Sequence, residues 1–204
     1  MGTSLGSFHR KGGLDVPVLD GGTGASTASA GLAALGHATQ NHAGIPGVGG
    51  GKVLQQVRVQ AQTTIILSAY PAVPWDDTRP QIGEGALVMS VAIQPISAAS
   101  FLVFQWSASI GGPPGGPIAA WIAQTGVSDA LAAAFSLYNS GTGAHDFCMS
   151  LNHWVASGGT ANRTYQIRVG SHFASTLRVG GGSDGAAKYG GSNNNSLIIT
   201  EYAP

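Results

Sequence analysis

The pattern of apolar and polar positions changes character near Lys52. From Val53 onward, apolar residues recur at every second position in short runs. In Arg163–Val169, Tyr165, Ile167 and Val169 fall on one face and Thr164, Gln166 and Arg168 on the other, the alternation of a half-buried antiparallel strand. Leu87, Met89, Val91 and Ile93 form a second such row, and Leu177 and Val179 a shorter one. The pattern predicts strands near 53–60, 62–70, 86–94, 100–107, 117–123, 131–138, 145–155, 163–170, 175–179 and 196–202. Glycine, proline, asparagine and serine punctuate the intervals, as in Gly111–Pro117, Asn139–Gly143 and Ser157–Thr160. Many short strands with frequent turns and no convincing helix predict an all-β antiparallel sandwich or barrel and exclude a parallel α/β fold.

Two runs depart from alternation. Phe101–Trp106 and Ile118–Ala123 are apolar on both faces. A sheet in a two-layer sandwich has one wet face, so such strands need a second cover. A subunit interface holding Phe104, Trp106 and Trp121 is the expected cover; an unusually buried central strand is the alternative.

Residues 1–51 lack sustained strand periodicity. They hold 14 glycines, one aromatic residue (Phe8) and four charges. Such a segment buries too little apolar area to offset its ordering entropy and is not expected to fold alone. Within it, Ser26–Gly36 reads as one short helix, capped by Ser26 or Thr27, with Ala28, Leu32 and Leu35 on one face and Gly36 at its end. Gly44–Gly51 covers too few triplets for a collagen helix and reads as a neck.

Composition narrows the function. The chain has 204 residues, 32 glycines, only 9% charged residues and a formal net charge of zero. So weakly charged a chain is poorly protected against self-association, and burial against copies of itself is expected. Zero net charge argues against nucleic acid as a partner. No apolar run approaches the ~20 residues needed to cross a bilayer, so membrane insertion is not expected. The start carries no secretory pattern, and synthesis in a cytoplasm without the usual export route is expected. The single cysteine, Cys148, excludes an internal disulfide and reads as a buried thiol in a strand.

The candidate chemistry is sparse. Asp76 and Asp77 are adjacent, so in extended backbone they point to opposite faces and cannot flank one bond. A turn role is expected, with Asp76 or Asp77 bonded to local amides and Arg79 neutralising the charge. Gly181–Gly185 matches G-x-S-x-G, but a glycine-rich sequence follows where a hydrolase requires a helix. His145 and His153 share a strand face but stand ~26 Å apart at ~3.3 Å per residue, too far to share a metal. His9, His37 and His42 could meet only around a symmetry axis. Trp75, Trp106, Trp121 and Trp154 lie in or beside strands, where core or interface burial is expected. No catalytic residue, metal or cofactor is expected.

Leu19–Ala28, containing Gly21-Gly22-Thr23-Gly24-Ala25, followed by Gly31–Gly36, resembles a stalk module of bacteriophage fibre proteins. Val53–Val59, Trp75–Gln81 with Glu84 and Gly85, and Ser196–Pro204 resemble the TNF-like or complement-type jelly-roll heads of phage fibres. The resemblance implies a virion-anchoring segment over residues 1–20, with Leu14, Val16, Val18 and Leu19 as its apolar contacts to another virion protein. A stalk follows over 21–51, with the helix near 26–36, and a homotrimeric jelly-roll head over 52–204. It implies a last strand near the threefold axis, placing Leu197 and Ile199 in the trimer interface. Host-surface glycan or protein would meet loops on the rigid head, with Asn139, Thr142, Asn162, Asn193, Asn194 and Asn195 as candidate contacts. The expected product is a non-enzymatic fibre on a virion assembled in a bacterial cytoplasm. A capsid head fibre or decoration protein of the same build is the alternative, and a glycan-degrading virion enzyme is the less favoured one.

Overall fold

The structure is a computed structural model, and it describes residues 51–112, 116–138, 145–186, 188, 189, 193 and 195–204. The anchor residues Leu14, Val16, Val18 and Leu19, the helix near 26–36 and three of the histidines lie outside these residues. Val53–Pro204 forms one compact unit. Its strands are β1 (Val53–Ala61), β2 (Ile65–Leu67), β3 (Ala86–Ile93), β4 (Phe101–Gly112), β5 (Gly116–Gln124), β6 (Ala132–Tyr138), β7 (His145–Ala156), β8 (Arg163–Ser171), β9 (Leu177–Val179) and β10 (Asn195–Tyr202). Every pairing between them is antiparallel.

The strands divide between two sheets. One runs β1-β10-β4, continues through β9 to β2, and adds β7 on the other side of β4; the other runs β3-β8-β5-β6. Strand β4 is long enough to pair with β10 through Phe101–Ser107 and with β9 at Ile110 and Gly111. Chain-distant strands become neighbours, giving a jelly-roll-like sandwich. Between the sheets lie Leu102, Phe104, Trp106 and Ile110 of β4, Ile118, Ala120 and Ile122 of β5, Tyr165, Ile167 and Val169 of β8, and Leu197 and Ile199 of β10. The Phe104 and Tyr165 rings meet edge to face at 4.8 Å across this core.

These contacts correct the expected interface. Phe104, Trp121, Leu197 and Ile199 are fully covered within one chain, and Trp106 is 2% exposed. The doubly apolar β5 does have a second cover, but its own chain supplies it. The segment from Pro71 to Gly85 crosses the outer face of the β3-β8-β5-β6 sheet as a strap. It is pinned by Val73 N to Ser171 O (3.1 Å) and Ile82 N to Ser128 O (2.7 Å), and Gly85 N to Pro71 O (2.9 Å) ties its two ends together. Beneath it Val73, Trp121, Ala123 and Ala130 form a separate apolar cluster, with Ile82 packed on its margin. The strap lies so close that a Cβ on Gly85, whose φ is +53°, would stand 2.4 Å from the Trp121 ring.

Two further expectations change for local reasons. A β-bulge between Leu87 and Met89 breaks the apolar row of β3 and leaves Leu87 48% exposed, while Met89 and Ile93 remain buried. In β7 the inward face belongs to Phe147, Met149, Leu151 and Val155, so Cys148 lies on the opposite, exposed face rather than in the core.

Candidate functional site

The strap that covers Trp121 also builds a groove. Beyond Val73 it lifts from the sheet, and Trp75 reaches Phe135 of β6, the two rings meeting edge to face at 5.0 Å and 70°. Between the strap and the outward residues of β5 and β6 lies a concavity of about 440 Å³. Its floor is kept low by small residues, Ala119 of β5 and Ala133 of β6, with Pro117 at one end. Trp75 and Phe135 are 51% and 63% exposed, so the expected burial of Trp75 does not occur. Such a volume suits a small organic group.

The polar groups of the groove are mainly acceptors. Asp76 Oδ1 accepts from Thr78 N (2.9 Å) and Thr78 Oγ1 (2.5 Å), the turn role expected of it. Those bonds, the side-chain one first, hold its carboxyl below the usual aspartate range. Arg79, expected to neutralise the pair, instead helps lower Asp129 after the hydrogen bonds from Gln81 and Ser128. Asp77 lines the groove without a protein hydrogen bond among the described residues. His172 closes the far end with Nδ1 3.3 Å from Val73 O.

The other outer face is different. On the β1-β10-β4-β7 sheet, the register sets Thr200 beside Val103 and Val103 beside Trp154, and the next row runs Tyr202, Phe101 and Ala156. Phe101 and Trp154 touch edge to face at 5.7 Å. Trp154 is 65% exposed and Phe101 37%, so Trp154 also lies outside the core. Away from this end the same face is polar: Gln105, Asn152, Ser107 and Ser150 are all exposed.

The expected receptor-contact residues do not form one set. Asn162 is exposed in the loop before β8. Asn195 is fully buried, its Oδ1 accepting from Trp106 Nε1 at 2.8 Å, so it cannot contact a ligand. Asn193 is half-buried and its Oδ1 accepts from Ser109 Oγ at 3.3 Å. Asn139, Thr142 and Asn194 lie outside the described residues. Ser183 of the G-x-S-x-G match is followed by a turn closed by Gly185 N to Gly182 O, and its own N donates to Asp146 Oδ1 at 2.6 Å. His145 and His153 both lie on the continuous β7, as their separation required. Among the described residues there is no cluster that could hold a metal, and no helix long and apolar enough to cross a membrane.

The groove was missed in the sequence because Trp75 and Phe135 are sixty positions apart. The available signal was Trp75-Asp76-Asp77 between two prolines, a polar turn that exposes an aromatic ring.

No family model and no curated protein matches the chain. Among solved structures it is similar to one titled "Structure of infectious bursal disease virus Gt strain", at 15% identity and a TM-score of 0.34, covering 72% of this chain and 37% of that one. The Gx strain structure of the same virus is similar at 15% identity and a TM-score of 0.28, over 75% and 38%. "Crystal structure of dimeric latent PorU from Porphyromonas gingivalis" is similar at 9% identity and a TM-score of 0.33, over 76% and 14%. The chain thus spans well under half the length of each.

Proposed function

We propose that the protein is a non-enzymatic structural component of a bacteriophage virion, a homotrimeric fibre with a TNF-like jelly-roll head that contacts the host surface. The observation that carries the reading is the apolar end of the β1-β10-β4-β7 face, where the exposed rings of Phe101 and Trp154 stand together beside half-buried Val103 and Tyr202. Contiguous exposed aromatic surface on a weakly charged head favours assembly. A threefold arrangement would bury this end against two neighbours and leave the opposite sheet and its loops free. The trimer contacts therefore belong to Phe101 and Trp154 rather than to the five residues expected from the sequence. The Gly-rich residues 1–51 and their fibre-type module supply the stalk and anchor in this reading.

Light scattering coupled to size exclusion on the full chain tests the assembly: a trimer is expected, and a stable monomer at micromolar concentration overturns the reading. Electron microscopy of particles carrying the labelled protein then separates a tail fibre from a capsid fibre.

A further inference from the structure

We propose that the groove between the strap and the β5-β6 face binds an organic ammonium group. The inference rests on the groove alone and does not depend on the fibre assignment.

The lining presents two π-faces, two carboxylates and no lysine or arginine. A cation gains from each of these features: the quadrupoles of Trp75 and Phe135 attract positive charge over their faces, and the carboxylates complement it. The nearly perpendicular rings form a corner, which suits a roughly spherical alkylammonium head better than a flat ring. The low alanine floor accepts the attached methyl or methylene groups.

The hydrogen-bonding inventory points the same way. Pro74, Pro80 and Pro117 contribute no N–H donors to the wall. The Thr78 amide and hydroxyl are already given to Asp76. A neutral sugar needs donors for its own oxygens as well as acceptors for its hydroxyls, and the side-chain donors left in this lining are the Trp75 indole N–H and the His172 ring. A bare metal ion is equally ill served, since Asp76 is engaged by Thr78 and no metal-holding cluster exists among the described residues. Asp77 and Oδ2 of Asp76 are the carboxylate acceptors without a partner among the described residues, and with the ring faces they select for charge carried on an apolar shell.

The test uses the full chain at neutral pH with three probes: choline, its uncharged isostere 3,3-dimethylbutan-1-ol, and methyl α-glucoside. Indole N–H signals followed by NMR during titration report binding at Trp75. Saturable binding of choline with a Kd on the order of millimolar is expected, with the neutral isostere at least about tenfold weaker and the affinity falling as salt rises. Asp77→Asn is expected to weaken choline several-fold while leaving the fold intact, because no protein group in the described residues depends on that carboxylate. Trp75→Ala is expected to abolish saturation. Equal binding of the neutral isostere, tighter binding of the glucoside, unchanged affinity in Asp77→Asn, or no saturation by choline would each overturn the assignment.

Discussion

Replacing Glu201 tests how the sandwich holds the one fully buried acidic residue among the described residues. Glu201 lies on β10 with 0% exposure, and no basic group pairs with it among the described residues. Its carboxylate instead accepts from Ile96 N (2.9 Å to each oxygen), Ser97 N (3.1 Å), Ser100 Oγ (2.5 Å) and Gln55 Nε2 (2.6 Å). It thereby ties β1 and the β3–β4 connection to β10. Truncation to Ala affects these donors unequally. Ser100 Oγ can turn its one proton to Ser97 O at 2.7 Å, and Gln55 Nε2 retains Gln94 O at 2.7 Å. The amides of Ile96 and Ser97 are stranded, at about 1–3 kcal/mol each if water does not replace the carboxylate. Ile96 is exposed, so water offsets part of this. A net loss of about 3 kcal/mol is expected for Glu201→Ala, and about 1–2 kcal/mol for Glu201→Gln, which keeps one acceptor oxygen. Urea unfolding with a slope of ~1–3 kcal/mol/M would show the Ala variant's midpoint lowered by roughly 1–3 M. A loss under about 0.5 kcal/mol would show that solvent satisfies these amides, and it would refute the reasoning.

The same carboxylate sets an acid limb. Burial pushes the Glu201 carboxyl up, but the hydrogen bonds from Ser100, Gln55, Ile96 and Ser97 outweigh it and hold it below the usual glutamate value of 4.5. A depressed carboxyl contributes stability in full above 4.5, and that contribution is lost as pH falls through the lowered value. Glu201→Gln should flatten the stability profile in that range and leave its neutral part parallel to wild type.

Three other outcomes follow from the packing. Gly85→Ala should destabilise by roughly 2–4 kcal/mol, because the left-handed φ and the contact with Trp121 both penalise a Cβ; a melting temperature within a degree or so of wild type would contradict that closeness. Trp154→Glu should convert a trimer to monomers by light scattering without lowering the melting temperature of the monomeric unit, since that ring is 65% exposed. Burial holds His153 below the usual histidine value of 6.5, so its neutral form is favoured in the folded state and stability should begin to fall as pH drops below 6.5. His153→Gln should remove that first acid step in a urea titration against pH.

Most of the strand framework was legible from local pattern, because a strand with one wet face must alternate. Tyr165, Ile167 and Val169 point inward as their spacing requires, and β8 lies within a residue of its expected bounds. Where side-chain size competes with polarity, the pattern misleads. In β6 the larger apolar residues, Phe135 and Leu137, face outward and are over half exposed, while Ala132 and Ala134 pack on the core. The core on which these alanines pack already holds Phe104, Ile122 and Tyr165, so small residues fit inward, and of the two outward residues Phe135 lines the groove.

Although β4 runs on through Gly112 and β5 begins at Gly116, inside the turn expected over Gly111–Pro117, the sequence by itself determined that the described residues after Lys52 are all-β and antiparallel and that they offer no paired carboxylates on one strand face. Those properties depend on neighbours within a few positions, which composition and periodicity record. Only the tertiary structure decided what covers a doubly apolar strand. The signal for β5 was correct, but choosing between a sister chain and a strap from the same chain requires knowing that Pro71–Gly85 folds back over Trp121. The groove arises from that same return, since Trp75 and Phe135 are brought within 5.0 Å by a crossing that neither local pattern encodes.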